Sequence, residues 1–198
     1  MYKQVSSVLS LLAVIFAGII LFAGCDNATG NATATPEAHR QEYFNVRNFI
    51  DSEAVQLAKA NPLVEKVAYL NGKEEHREVH FDKKQWQTEL APFLDADITK
   101  TAFIKRYQVD TIKTNDTVCI AYTALDDKLR TRELKMYFDK QTKPFKMEAF
   151  LKADKVFYHS GQHITFTESQ GYEVRGRQEI LLFGTDTFAV KARLEKAL

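Results

Sequence analysis

From Tyr107 onward the chain alternates apolar and polar residues at a period of two, broken at short intervals by turn-forming clusters. The clusters are Thr114-Asn115-Asp116, Asp126-Asp127-Lys128, Gln141-Thr142-Lys143-Pro144, Ser160-Gly161, Gln170-Gly171 and Gly184-Thr185-Asp186. They predict strands over 106–113, 117–125, 129–139, 144–154, 155–159 with 162–169, and 172–182 with 186–194. Strands so closely spaced pair with their neighbours in sequence. The expected product is an antiparallel meander that curls into one strongly twisted sheet.

Helical signals come before this run. Thr35-Pro36-Glu37 supplies a capping hydroxyl, a proline for the first turn and an acid for the positive helix end. Tyr43, Val46, Ile50, Ala54 and Leu57 recur at helical spacing, and Asn61-Pro62 ends the pattern, so a helix of about 25 residues is expected. Residues 63–81 read as a hairpin about Asn71-Gly72, with Val67 and Tyr69 answering Val79 and Phe81. Asp82 with Gln85 forms a capping box for a second helix, whose stripe is Trp86, Leu90, Phe93 and Leu94 and which Pro92 shortens. Thr99 is expected to cap a last helical turn. The fold class read from these signals is α+β, with a long N-terminal helix and a short Trp-containing helix packed on one curved meander sheet. Residues 36–198 form a single domain in this reading.

The N-terminus has a different character. Lys3 precedes a stretch from Val5 to Ala23 with no charged residue, followed by small Ala23 and Gly24 and then Cys25. An uncleaved membrane span is the rival reading, but the small residues, the cysteine and the lack of a basic stop-transfer flank favour cleavage. The segment Leu21-Phe22-Ala23-Gly24-Cys25 resembles the bacterial lipoprotein signal, departing from it at Phe22. That resemblance implies that residues 1–24 are removed, that Cys25 carries acyl chains, and that 25–35 is a polar tether to a membrane.

Loss of residues 1–24 removes only one charged side chain, Lys3, and the formal charge falls from +1 to zero. A balanced surface argues against nucleic acid as a partner. Of the two cysteines, Cys119 has no partner if Cys25 is lipidated, so no disulfide framework is expected.

Few residues point to chemistry. If Ser160-Gly161 is a hairpin tip, His159 and His163 flank it as cross-strand neighbours, but two imidazoles fall short of a zinc site and a solvated tip is the better reading. His76 and His80 stand too far apart along a strand to share a metal. Cys119, within an apolar strand, reads as a small buried hydrophobe. Lys128, Arg130 and Arg132 alternate onto one face beside a turn, which is the pattern of a solvated hairpin end. No cofactor motif and no catalytic signature occurs. The aromatic load of the meander is more suggestive: it fills the core, or Phe150, Phe157 and Phe166 line a cavity for an apolar ligand.

Over most of the chain the order of elements resembles small uncharacterised lipoproteins of Bacteroidota. Asp110-Thr111-Ile112 and Asp116-Thr117-Val118 match the Asp-Thr-aliphatic triplet of protein O-glycosylation in that group, which implies Thr111 and Thr117 as acceptors. A looser likeness of architecture is to the periplasmic lipoprotein carriers. The expected function is that of a non-enzymatic envelope lipoprotein, anchored in a membrane through Cys25 and binding an envelope partner. The outer membrane, facing the periplasm or the cell surface, is the expected place. The alternative is a carrier or sensor of an apolar ligand held under the sheet. A hydrolase built on scattered carboxylates or on His159 and His163 is the third reading.

Overall fold

The computed structural model describes residues 43–195, within the unit that begins at Pro36. The signal, Cys25, the tether and the Thr35-Pro36-Glu37 helix start lie outside the described residues.

The first helix, α1, spans Val46–Ala60 and has 15 residues. It begins late because Asn45 is extended and its side chain accepts the Asn48 N–H at 2.9 Å, which caps the first turn. It ends at Asn61, whose left-handed φ of 45° returns its N–H to the Leu57 carbonyl. Tyr43, read as the first residue of the helical stripe, and Phe44 both precede the helix and pack against the sheet. The Tyr43 ring meets Tyr107 and Tyr122 edge-on, and Phe44 meets Phe138.

A hairpin follows, β1 (Val64–Leu70) and β2 (Lys73–Val79), turning through Asn71 and Gly72 at φ 49° and 81°. The turn is as expected, but its register sets Val64 opposite Val79, and Phe81 lies beyond the strand. Helix α2 (Lys83–Glu89) carries the expected reciprocal Asp82–Gln85 capping box. A tighter helical segment, Ala91–Ala96, takes over at Pro92, and another, Thr101–Phe103, leads into the sheet. Thr99 caps neither. Its hydroxyl and N–H both bond the Asp97 carboxylate.

Seven further strands follow among the described residues: β3 (Tyr107–Lys113), β4 (Val118–Ala124), β5 (Thr131–Phe138), β6 (Pro144–Lys155), β7 (Tyr158–Thr167), β8 (Gly171–Ile180) and β9 (Gly184–Leu194). The sheet is nine-stranded and antiparallel throughout, in the order β2-β1-β9-β8-β7-β6-β5-β4-β3. The meander is present, and the N-terminal hairpin extends it by pairing β1 with β9. This overturns the expected α+β balance with its long N-terminal helix: 52% of the described residues are strand and 20% helix, and the helices are short. The cause is local. Asn45 shortens the first helix, Pro92 shortens the second, and Ser160-Gly161 continues a strand instead of breaking it.

The helices cover one face of the sheet. Phe166 lies fully buried at the centre, edge-on to Phe49 of α1 and to Phe93. Met136, Met147, Leu134, Leu151 and Ile164 are buried around it. A fully buried phenylalanine of this kind contributes about 3 kcal/mol through the apolar area it withdraws from water. The other face carries rows of alternating charge, with Lys146–Glu148, Lys135–Glu133 and Lys152–Asp154 paired at 2.6 to 2.8 Å.

Candidate functional site

The four central strands are longer than those beside them. β5 meets β6 only as far as Thr131 opposite Leu151, and β1 meets β9 only as far as Leu70 opposite Phe188. One further backbone bond on each side, Lys152 N–H to Arg130 and Asn71 N–H to Thr187, continues the contact, and the Asn71 side-chain amide donates to the Asp186 carboxylate at 2.6 Å. Beyond these, residues 153–155 of β6 and 184–185 of β9 form the free sides of a four-stranded tongue. Three residues at strand rise give it a reach of about 10 Å past its neighbours.

Two turns close the tongue. Val156 and Phe157 join β6 to β7, and Leu181, Leu182 and Phe183 join β8 to β9. Their exposures are 81%, 66%, 55%, 94% and 87%. The Leu181 N–H donates to the Phe157 carbonyl at 3.0 Å, so the two tips are one surface. Within the second turn the Phe183 N–H donates to the Ile180 carbonyl at 3.0 Å, and Leu182 is held at φ 75°. That left-handed region is costly for a bulky side chain and is ordinarily filled by glycine or asparagine. Here backbone strain displays a leucine. Leu125, in the β4–β5 turn at this same end, is 64% exposed.

The opposite end of the sheet is polar. Its turns are Thr114-Asn115-Asp116, residues 139–143 with Asp139, Lys140 and Gln141, and Glu168-Ser169-Gln170. The apolar character belongs to the two tongue turns alone, since the Asn71-Gly72 and Asp126-Asp127-Lys128 turns at their end of the sheet are polar.

Behind the tips the tongue is polar along its flank. Asp154 bonds Lys152 at 2.8 Å and His159 at 3.1 Å, and these partners, Lys152 first, hold its carboxyl below the usual range. Arg177 and Glu179 stand on the neighbouring strand, and half-buried Tyr158 pairs with Ile180 at the base of the tips.

The residues expected from sequence disperse over this frame. Ser160 and Gly161 lie inside β7, so His159 and His163 do not flank a tip; four residues apart on one strand they stand about 13 Å from each other. His163 stacks on Phe150 instead, ring centroids 4.6 Å apart. Among the described residues no three His, Cys, Asp or Glu side chains gather as metal ligands. Phe150, Phe157 and Phe166 occupy three places: the outer face over Gly161, the tongue tip, and the core. Phe157 alone of the three belongs to the exposed surface described above.

Cys119 is buried, and burial pushes its thiol up, away from the reactive thiolate. Arg130 pairs with Asp95 at 2.7 Å and Arg132 donates to the Asp126 carbonyl, so the row of three cations is largely spent on the fold. Thr111 is exposed on the edge strand β3, whereas Thr117 is half-buried where the β3–β4 turn closes on Thr114. An open depression of about 660 Å³ lies between α1 and α2, lined by Val55, Ala58, His80 and Phe81, none of which belongs to the tongue.

Two features escaped the sequence reading. Glu53 of α1 is buried, and its carboxyl is pushed up to about 7, first by burial and then by Glu168, with Lys143 pulling the other way. The tips escaped as well, although Ile180-Leu181-Leu182-Phe183 breaks the alternation with four apolar residues in succession just before Gly184.

No protein-family model matches the sequence, and no curated protein aligns with it significantly. Among solved structures the chain is similar to a LolA superfamily protein from Nitrosomonas europaea, at 9% identity over 79% of this chain and 96% of that one, with a TM-score of 0.22. An overlay of that quality bears on neither the topology nor the function of this chain.

Proposed function

We propose that this protein is a bacterial envelope lipoprotein, anchored through Cys25, that acts by binding rather than by catalysis, and that it binds with the tip of the tongue. The observation that supports the reading is the pairing of two adjacent turns with five exposed large apolar side chains, on an end of the sheet opposed by polar turns. Contiguous apolar surface of this kind, raised above a polar flank, is where soluble domains meet partners or membranes. The lipid anchor would hold that surface beside the membrane. Carriage of an apolar ligand, the alternative, would use the same side chains as the first contact with an acyl chain.

Site-specific photo-crosslinking in intact cells tests the reading. A crosslinker placed at Leu182 should give discrete adducts, and one placed at Ser169, at the opposite end, should not. Equal labelling at both positions would sink it. The anchor has its own test: labelling with a radioactive fatty acid should be lost in Cys25→Ala.

A further inference from the structure

We infer that the surface met by the tongue tip is a lipid bilayer, entered by Val156, Phe157, Leu181, Leu182 and Phe183. The inference rests on the binding reading above and names the partner. Shape is the first argument. The tips are two narrow turns, joined by the Leu181 to Phe157 bond, at the end of a projection of up to about 10 Å. A convex apolar point needs a deformable partner, and the depth suits the boundary between headgroups and acyl chains, where interfacial elements sit about 5–10 Å deep.

Backbone chemistry is the second. Apolar lipid tolerates a peptide only where its N–H and C=O groups are satisfied. In the tongue β7 pairs along its length with β6 and β8, and the turns are closed by Leu181 to Phe157 and Phe183 to Ile180. Within the turns the Leu181 and Phe183 N–H groups and the Phe157 and Ile180 carbonyls are thus paired, and the remaining turn and edge groups call for the hydrated headgroup layer rather than the hydrocarbon core.

The third argument is the layering of polarity. Immediately behind the five apolar residues come Tyr158 and Lys155, the residue types that settle at the membrane interface with an apolar body and a polar tip. Behind these are Lys152, Asp154, His159, Arg177 and Glu179, of mixed sign and partly paired. A mixed flank gives little attraction to anionic headgroups, so entry is driven by apolar area.

The test uses the full chain reconstituted in vesicles, with Cys119→Ala, and an environment-sensitive fluorophore on Leu182→Cys or, separately, on Ser169→Cys. Vesicles of phosphatidylcholine alone and of phosphatidylethanolamine with phosphatidylglycerol are compared. Quenching by acyl-chain spin-labelled lipid should be at least about fivefold stronger at 182 than at 169, in both compositions, and unchanged by high salt. Equal quenching at the two positions, or quenching at 182 that needs phosphatidylglycerol and vanishes in salt, overturns the inference. If Leu182 also crosslinks to one protein in cells while lipid quenching is absent, the binding reading survives and the bilayer falls. Absence of both removes both.

Discussion

The hydroxyl of Tyr172, at the start of β8, donates to the carboxylate of Glu89, the last residue of α2, and the same oxygen takes Lys66 Nζ of β1 at 2.6 Å. Three elements distant in sequence meet on one oxygen. Tyr172 is buried, and burial together with Glu89 raises its hydroxyl well above the usual range, so it donates at every pH the protein meets. Tyr172→Phe should destabilise the domain by about 1.5–3 kcal/mol, as expected for a hydrogen bond to an ionised group. Urea denaturation checks it, and a loss below 0.5 kcal/mol would mean that Lys66 alone satisfies the carboxylate (roughly the range of ordinary surface changes).

Leu182 offers the opposite sign. Its left-handed φ of 75° costs a leucine about 1 kcal/mol that asparagine largely avoids. Leu182→Asn should therefore raise the melting temperature by about 2–4 °C while weakening attachment at the tip. A stabilised variant with reduced binding would show that the strain is kept for function. A destabilised one would mean that the leucine packs in the folded state after all.

Glu53 predicts a dependence on pH. Burial, with Glu168 beside it, pushes its folded carboxyl up to about 7, from an ordinary value of 4.5. The stability tied to its protonated form is whole below 4.5 and is lost as pH rises through about 7, by up to about 3 kcal/mol. Asp126, Asp154 and Glu148, held low by their partners, act in the other direction at acid pH. Comparison with Glu53→Gln isolates the one group. The variant should equal the parent at pH 4.5 and exceed it at pH 8, and denaturation midpoints at the two values decide the matter.

Gly171 and Gly72 both have positive φ, but a Cβ on Gly171 would lie 2.0 Å from the Ala192 carbonyl oxygen, whereas one on Gly72 meets nothing within 4 Å. Gly171→Ala should cost about 3–5 kcal/mol by forcing β8 from β9, and Gly72→Ala only about 1 kcal/mol of backbone strain. Thermal melts of the pair test this, and equal losses would refute the close approach.

What the sequence made legible was local. Asn71-Gly72 and Asp82 with Gln85 act within a few residues, and both formed as read. Pro92 likewise redirected its helix. Ser160-Gly161 misled because a glycine in a strand looks like a turn when the aromatic that covers it, Phe150, comes from the next strand. The true turn, Val156-Phe157, carried none of the polar residues or glycine by which turns are recognised. The site was invisible for the same reason: apolar residues at a strand end read as core until the fold shows that nothing covers them. Asn45 went unread as a helix start because the apolar spacing runs through it to Tyr43, and only the packing of Tyr43 and Phe44 against the sheet reveals the break.

The pairing of β1 with β9 also dictates an order of events during synthesis. The hairpin of β1 and β2 has its permanent neighbour in residues 184–194, about a hundred residues further along the chain. Until those residues are released, β1 offers a bare edge, and no early intermediate can bury Val64 and Ala68 as the finished sheet does. Contacts spanning so much chain form slowly. A chain built this way keeps its N-terminal hairpin waiting for a partner until β9 arrives.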